Sequence, residues 1–335
     1  MANLTTKHMG ISLKNPIILG ASNLVGNVDN LKKAEDAGIA AIVYRSLFEE
    51  QIQLEDYELE NQLEAYDERH AEMINLFPNL EHAGPKEHLY NLRKAKESVS
   101  VPVIASINAI YKESWVDYAK QIEETGVDGI ELNFFAIPRD MDKSGHDIIS
   151  QQLEWLKAVK SSVKLPVTVK LSTFYTNILK TVSDLDKAGA DGFVLFNRLF
   201  EPDIDVEAEK HAAPWNLSTP SDHRLAIRYI GLLYDNIKGS IVANNGIYEG
   251  TDVVKMILAG ADAVESVSTF YHNGIKHIGA MLSELEEWMD RKGYKTIDDF
   301  KGSLSSKAIN DPFVYKRAQY IDMILKSEDY FNPIV

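Results

Sequence analysis

The chain has no cysteine among its 335 residues. This absence excludes disulfides, metal sites with thiolate ligands, iron–sulfur clusters held by cysteine, and a cysteine acting as nucleophile or base. Basic residues are fewer than acidic ones. The chain has 35 Lys and Arg and 50 Asp and Glu, which gives a formal net charge of −15. Such an acidic chain repels phosphate backbones and anionic lipid headgroups. Nucleic acid and membrane are therefore not expected partners.

Long apolar segments are missing as well. Residues 1–10 contain no apolar core of the length that a signal peptide needs, and no run of about 18 apolar residues occurs in the chain. The cytoplasm is therefore the expected location. Hydrophobic residues make up 45% of the chain and charged residues 25%, which is typical of a soluble globular protein with a large core. We expect one domain over residues 1–335.

Short apolar segments, in contrast, recur in two alternating types. In the first type a helix-like segment ends at glycine, which accepts the left-handed backbone of a helix end, and an apolar strand follows. In the second type proline or a small residue opens the strand. The predicted strands include residues 15–18, 41–44, 101–104, 130–133, 165–168, 193–196, 239–242 and 263–266. Predicted helices between them include residues 115–124, 148–163, 178–188 and 252–258.

This alternation of strands and helices predicts the fold. Strands separated by helices pair in parallel through right-handed crossovers, and eight such units are the number that closes a barrel. The sequence therefore predicts the α/β class and a single (β/α)8 TIM barrel. The alternative is an open doubly wound sheet, but no G-x-G-x-x-G segment follows the first strand. We expect extended loops after strands 2, 4 and 6, and a C-terminal extension over residues 303–335.

Chemistry in such barrels occurs at the C-terminal ends of the strands. The sequence places small and amide side chains there, together with two cations and almost no carboxylate. This composition favours a flat heteroaromatic ligand that carries an anionic group. Asn245-Gly246 and Val267-Ser268, after strands 7 and 8, are candidate phosphate loops, although each could serve only to turn the chain. Lys170 either reaches solvent or balances a buried anion.

Five segments match a known family. They read Asn-Pro-Ile-Ile-Leu-Gly-Ala-Ser at 15–22, Glu-Leu-Asn at 131–133, Val-Lys-Leu at 169–171, Asn-Asn-Gly-Ile at 244–247, and a longer run at 284–303. On these residues the chain resembles the dihydroorotate dehydrogenase family, particularly its class 1 branch. The resemblance implies bound FMN, hydride transfer from dihydroorotate to flavin N5, and a role in pyrimidine biosynthesis. It also implies a homodimer, and it leaves a separate electron-transfer subunit open.

The resemblance further implies an FMN site at the strand ends. There, Lys170 as a fixed ammonium beside N1 and O2 of the flavin would favour the anionic reduced form. Arg45 stands where the family usually has lysine, Asn245-Gly246 replaces a Gly-Gly turn, and Val267-Ser268 replaces Gly-Thr. The implied cofactor residues are Ala21, Ser22, Arg45, Ser46, Asn108, Asn133, Lys170, Asn197, Asn245, Gly246, Val267 and Ser268.

The substrate side departs further from the family. The loop after strand 4 begins Asn-Phe-Phe-Ala-Ile-Pro at residue 133, where the family has Asn-x-Ser-Cys/Ser-Pro-Asn, so that Ala136 occupies the position of the base. Alanine cannot accept a proton, and general-base catalysis contributes about 10²–10⁴ in rate. Phe134 and Phe135 are predicted to face the substrate as apolar walls. Asn75 and Asn197 complete the predicted substrate pocket.

Lys170, Asn133 and the position of Ala136 form the predicted catalytic set. Four other residues near the strand ends are candidate replacements for the base, although a solvated or loop-tethering role is commoner for such residues. They are Asp140, His146, Thr173 and Tyr175. No metal site is predicted.

Three functions remain open at this point. The leading hypothesis is an FMN-dependent oxidoreductase of the CH–CH class that resembles dihydroorotate dehydrogenase. The second keeps the flavin but takes a different, less polar substrate, with the phenylalanines as its apolar wall. The third is a catalytically silent flavin-binding barrel. Bleaching of the flavin by dihydroorotate, by another hydride donor, or by neither distinguishes the three.

Overall fold

A closed barrel of parallel strands forms the centre of the molecule. The computed structural model describes residues 2–50, 85–134, 141–198, 202–212, 217–310, 312–316 and 318–326. Its strands are β1 (Thr6–His8), β2 (Ile11–Leu13), β3 (Ile17–Leu19), β4 (Ala41–Phe48), β5 (Val103–Asn108), β6 (Gly129–Phe134), β7 (Val167–Leu171), β8 (Gly192–Leu195), β9 (Asp203–Asp205), β10 (Lys210–Ala212), β11 (Ser240–Asn244) and β12 (Ala263–Ser266). Eight of them close the barrel in the order β3-β4-β5-β6-β7-β8-β11-β12. This confirms the predicted (β/α)8 barrel.

Helices cover the outside of the barrel. They are α1 (Val28–Asp36), α2 (Pro85–Ser98), α3 (Lys112–Glu123), α4 (Gly145–Ser162), α5 (Ile178–Lys187), α6 (His223–Leu233), α7 (Gly250–Ala259), α8 (Ser268–Asn273), α9 (His277–Lys292) and α10 (Ala318–Leu325). The predicted helices agree with α3, α4, α5 and α7 to within three residues at either end. In α5, buried Ile178, Val182 and Leu185 follow helical spacing, which explains why this segment packs on the sheet.

The lower half of the barrel interior is apolar. Strand side chains alternate between the two faces of a sheet, so every second residue of each barrel strand points inward. The inward residues of this half form one packed cluster, which we call the apolar layer. Its main members are Ile18, Val43, Ile104, Val194 and Val242. Each of these side chains is almost completely buried.

The N-terminal hairpin of β1 and β2 closes the lower end of the barrel. Met9, in the turn of the hairpin, packs into the apolar layer. Its backbone N–H donates to Ser240 Oγ at 3.0 Å, and His8 Nδ1 lies 2.8 Å from the same oxygen. Burial lowers the pKa of His8 to about 3, so this imidazole is neutral at physiological pH.

Two regions extend beyond the barrel. The predicted long loop after strand 6 contains the hairpin β9–β10, whose strand β9 is fully exposed. The C-terminal extension contributes a 3-10 turn (Pro312–Tyr315) and α10. The predicted excursion after strand 2 and most of the loop after strand 4 lie outside the described residues. Within the described part of the chain, no helix is long and apolar enough to cross a membrane.

Candidate active site

Polar side chains gather at the C-terminal ends of the barrel strands, which we call the barrel mouth. In β4 the pairing register with β5 shifts between Tyr44 and Leu47, so this strand carries a bulge. A bulge re-aims the side chains around it. It turns Ser46 toward the barrel interior, where Ser46 Oγ lies 2.7 Å from Ser106 Oγ of β5. Ser106 Oγ in turn donates to Glu131 Oε1 at 3.1 Å.

A buried ion cluster crosses the barrel at this level. Lys170 Nζ of β7 donates to Glu265 Oε1 of β12 at 2.6 Å and lies 3.7 Å from Glu131 Oε1 of β6. Because β7 and β12 are not neighbours in the barrel, this pair must span its interior. All three side chains are almost fully buried. We call Glu131, Lys170 and Glu265 the charged layer.

The charged layer adds two buried carboxylates just below the strand ends, whose tips carry almost no carboxylate, as expected from the sequence. These two carboxylate side chains point into the barrel from β6 and β12. The Lys170 ammonium is therefore paired with carboxylates of the protein and is not an isolated cation. Gly20 makes room for this arrangement, since a Cβ atom at Gly20 would lie 2.7 Å from Glu265 Oε1.

Burial sets the charge state of this layer. Burial raises the pKa of Glu131 to about 8, and the negative charge of Glu265 acts in the same direction. Burial lowers the pKa of Lys170, but Glu131 and Glu265 outweigh it and the pKa of Lys170 ends above its ordinary value. At neutral pH Glu131 is therefore protonated, and the Lys170 ammonium donates to Glu265.

Amide side chains occupy the next part of the mouth. Asn197 Nδ2 donates to Asn133 Oδ1 at 2.8 Å, which brings together two residues of the predicted site from strands β6 and β8. Asn108 is buried, and its Nδ2 has no hydrogen-bond partner among the described residues. Asn244 and Asn245 both donate through Nδ2 to the carbonyl oxygen of Phe196, at 3.0 and 2.9 Å.

The two predicted phosphate loops lie side by side. Ser266 Oγ donates to Ile247 O at 2.7 Å, which ties the loop after β12 to the loop after β11. Gly246 N donates to Ser218 Oγ, and Ser218 Oγ donates to Ser268 Oγ at 2.7 Å. In the described part of the chain, no residue accepts the backbone N–H groups of Ile247, Ser268 and Thr269. Unsatisfied backbone N–H groups of this kind are suited to donate to the oxygens of an anion.

Gly246 is required at this position by its surroundings. Its φ of +67° is left-handed, and a Cβ there would lie 2.5 Å from His223 N. Asn245 is also left-handed, with φ of 75°. Asparagine and glycine tolerate this conformation better than other residues, which explains why Asn-Gly can replace the Gly-Gly turn of the family.

Arg45 lies toward α2. Its charge acts on Tyr44 and on His88 of α2, whose rings meet edge to face at 5.5 Å. Burial, and after it the charge of Arg45, lower the pKa of His88 to about 3. Arg45 Nε is buried without a partner among the described residues. The guanidinium thus borders the mouth from the side of α2.

Phe134 does not face the substrate region, and this corrects the sequence-based expectation. Its ring packs outward between β6 and the helices, 5.5 Å from Trp115 of α3 and 6.2 Å from Trp155 of α4. The reason is strand alternation: Asn133 points into the mouth, so its neighbour Phe134 must point away. Phe134 therefore belongs to the outer core and not to an apolar substrate wall.

The remaining predicted site residues fall into two groups. Asn75, Phe135, Ala136 and Asp140 lie outside the described residues. Tyr175 donates to Gln152 Oε1 at 3.0 Å, and burial raises its pKa to about 12, which makes it a poor base. His146 is exposed in the first turn of α4. Among the candidate replacements for the base, Thr173 alone lines a cavity together with Asn197.

Ala21, Ser22 and Val267 complete the mouth beside Gly20. Ala21 packs on the apolar layer, Ser22 Oγ donates to Gly20 O at 3.3 Å, and Val267 Cγ2 would lie 2.7 Å from a Cβ at Gly20. The mouth thus combines unpartnered amide donors, free backbone N–H groups and a side chain cation. These features fit a flat polar ligand that carries an anionic group.

Known proteins resemble this chain over most of its length. The family model for dihydroorotate dehydrogenase matches residues 3–289. The catalytic subunit of dihydroorotate dehydrogenase B (NAD(+)) from Thermoplasma acidophilum is 28% identical over 90% of this chain and 99% of its own length. The corresponding protein of Listeria monocytogenes is 28% identical over 90% and 98%. A putative dihydroorotate dehydrogenase A (fumarate) from Aeropyrum pernix is 28% identical over 67% and 74%.

Proposed function

The chain belongs to the dihydroorotate dehydrogenase family of oxidoreductases, and from that premise we propose that it binds FMN at the barrel mouth and oxidises a CH–CH bond of a small substrate. The main support for this proposal is a set of hydrogen-bond donors that have no partner among the described residues. A buried donor left unsatisfied costs about 1–3 kcal/mol, so such groups are retained where a ligand satisfies them. Asn108 Nδ2 and the N–H groups of Ile247, Ser268 and Thr269 are of this kind.

Each part of the mouth has a role in this proposal. FMN, when bound, accepts a hydride and passes the electrons to a second acceptor. The loops after β11 and β12 would hold its phosphate through Gly246, Ser268 and the free N–H groups. Asn108 and Lys170 would bind polar atoms of its ring system. Glu265 would fix the Lys170 ammonium in one position, since the two side chains share a 2.6 Å hydrogen bond.

The substrate side supports a reaction on a compound other than dihydroorotate. Ala136 cannot remove a proton, and the chain has no cysteine that a shift of alignment could supply. Asn133 and Asn197, joined by their amides, would orient a polar group of the substrate. Because Phe134 points outward, one of the two phenylalanines predicted to form an apolar pocket wall is not available for it. The amide pair therefore favours a substrate with a polar group, and its oxidation requires a proton acceptor other than Ala136.

Dihydroorotate itself is the second candidate, and the similarity to relatives of that name over 90% of the chain favours it. For either candidate another group must take the proton, because oxidation of a CH–CH bond releases a proton as well as a hydride. Thr173, which lies in the cavity beside Asn197, is the described residue placed for that role. Thr173→Val keeps the side chain volume and removes the hydroxyl.

Anaerobic absorbance spectroscopy tests the proposal. The purified protein should be yellow, and dihydroorotate should bleach it no faster than about 10⁻² of the rate of the Ala136→Ser variant, since serine restores a group that can accept the proton. Ala136→Val is the control for side chain bulk. Rapid bleaching of the unmodified protein establishes the second candidate, and loss of bleaching in Thr173→Val identifies its base. A colourless protein that rejects added FMN contradicts both candidates.

Two assembly features belong to the same proposal. Relatives are named catalytic subunits, which supports electron transfer to a separate subunit in this protein too. A homodimer is supported by the exposed apolar residues Ile204 and Val206 on the β9–β10 segment. Light scattering after gel filtration tests the dimer, with Val206→Asp as the variant expected to release monomers and Lys210→Asp as its neighbour control.

A further inference from the structure

A cavity of about 780 Å³ lies beside the barrel mouth, between α6 and the C-terminal extension. Small-molecule sites commonly measure about 300–1,000 Å³, so this volume suits a ligand of that kind. The described lining connects two mouth residues, Asn197 and Asn245, with residues of the extension. The extension lies beyond residue 289, where the match to the family model ends. This chain has therefore added a wall to the shared barrel.

The added wall is packed against α6. Tyr315 of the extension rests on Gly231 of α6 in space that any larger residue would fill. Its hydroxyl donates to Leu304 O at 2.7 Å. Arg228 Nη2 donates to Gln319 Oε1 at 3.0 Å and ties α10 to α6. These contacts give the cavity a fixed shape.

The cavity has a positive lining in an acidic protein. Its described lining contains three arginines and one carboxylate, a surplus of positive charge in a chain of net charge −15. The carboxylate of Asp222 is already engaged, because it accepts from Arg198 Nη1 at 2.8 Å and from Thr219 N at 2.7 Å. The guanidinium of Arg224 has no ion pair or hydrogen bond with any described residue. Positive charge is therefore available in the cavity.

Two of these arginines lie on the same face of α6. Arg224 and Arg228 are four residues apart in α6, so their side chains leave the same face of the helix. Like charges at this spacing destabilise a helix, and an anion bound between them offsets this repulsion. Guanidinium groups present forked donors that match the oxygens of carboxylates and phosphates. The pair is arranged as an anion clamp.

Part of the cavity lining is apolar. Phe174, from the loop after β7, is 70% exposed, and Met323 of α10 is 56% exposed, although both line the cavity. Leu225 and Val314 contribute further apolar surface. A ligand with an apolar body would cover these side chains and gain from their burial.

We propose that this cavity binds a small organic anion, whose carboxylate or phosphate pairs with Arg224 and Arg228 and whose apolar body packs on Phe174 and Met323. Binding there needs neither FMN nor turnover, because none of these residues belongs to the predicted flavin site. Thr173, Asn197 and Asn245 line the same cavity, so a ligand held by the two arginines borders the candidate active site.

Isothermal titration calorimetry of the full chain, as purified, tests this inference. The probes are benzoate, phenyl phosphate and the neutral isostere benzamide. At least one of the two anions should bind, and benzamide should bind at least tenfold more weakly. Arg224→Gln should weaken anion binding about tenfold, because a charge-assisted hydrogen bond is lost. Arg93→Gln, an exposed arginine of α2 outside the cavity, is the matched control and should leave binding unchanged.

The relative affinity of the two anions identifies the head group. Tighter binding of benzoate assigns the clamp to carboxylates, and tighter binding of phenyl phosphate assigns it to phosphates. The inference is wrong if neither anion binds better than benzamide, or if Arg224→Gln binds them as tightly as Arg93→Gln does. A colourless protein would contradict the flavin proposal and leave this measurement unaffected.

Discussion

The two halves of the barrel interior are built from different chemistry. In the lower half the apolar layer fills the space with aliphatic side chains such as Ile104 and Val242, and the N-terminal hairpin seals it. In the upper half the charged layer places an ammonium between two carboxyl groups. Only about two residues along each strand separate the two layers, since Ile104 and Ser106 are both inward residues of β5.

This difference shows how one barrel separates stability from chemistry. Apolar packing contributes about 25 cal/mol for each Å² removed from water and needs no precise partners. Buried charges cost free energy unless every one is paired, so they are retained where a function uses them. The lower layer should therefore affect folding stability alone, whereas the upper layer should affect folding stability, its pH dependence and cofactor binding.

Removing the central cation should have the largest effect. Lys170→Met keeps the length of the side chain but leaves Glu131 and Glu265 without their partner, and we expect a loss of about 3–5 kcal/mol in unfolding free energy at pH 8. Adding Glu265→Gln should recover part of this loss, because one uncompensated carboxylate disappears. Urea denaturation measures both. Equal stability of the single and double variants would mean that the charges are not coupled.

A cavity in the apolar layer should have the next largest effect. Ile104→Ala removes buried methylene and methyl groups, and we expect a loss of about 2–4 kcal/mol in unfolding free energy. The affinity for FMN should change less than twofold, because Ile104 does not reach the mouth. Fluorescence titration with FMN provides the second readout. A large loss of FMN affinity would show that the two layers are not separate.

The pH dependence of stability should depend on Glu131. Its folded-state pKa of about 8 lies above the ordinary value of 4.5, so the unfolded chain releases this proton first as pH rises. The protonated carboxyl therefore contributes stability below pH 4.5, and this contribution is lost as pH rises toward 8. The slope is at most about 1.4 kcal/mol per pH unit. Glu131→Gln cannot titrate, and urea denaturation at pH 5, 6.5 and 8 should show a flatter dependence. Parallel curves for the two proteins would refute the assignment.

The smallest effect should come from two adjacent residues of β6. Phe134→Leu should cost about 1 kcal/mol in unfolding free energy and leave FMN affinity unchanged, because its ring lies in the outer core. Asn133→Ala should do the reverse and weaken FMN binding with little effect on unfolding. Measuring both quantities for both variants tests the orientation of the strand. The same response from both variants would contradict it.

The sequence was sufficient to predict the barrel and most of the mouth. Glycine-ended helices alternating with apolar strands specify the topology, and residues at strand ends, such as Lys170 and Asn133, meet because parallel strands end on one side of a sheet. The charged layer was missed because only the tips of the strands were considered. Counting back by two from Asn133 would have shown that Glu131 also points inward.

Other features could not be predicted, for a physical reason. The contact of Ser218 with Gly246 and Ser268 joins loops that are far apart in the chain, and no local pattern encodes it. The C-terminal wall of the cavity depends on the fit of Tyr315 over Gly231, which again is non-local. Phe134 was misassigned because its position next to Asn133 suggested a shared direction, whereas strand alternation requires opposite ones.

The hairpin at the lower end of the barrel has a consequence for the order of folding during synthesis. His8 and Met9 find their partner Ser240 more than 230 residues later in the chain. These contacts can therefore form only after β11 has been made. Contacts of such long sequence separation form late and slowly. Until then, Met9 is a hydrophobic side chain that chaperones can reach in the growing chain.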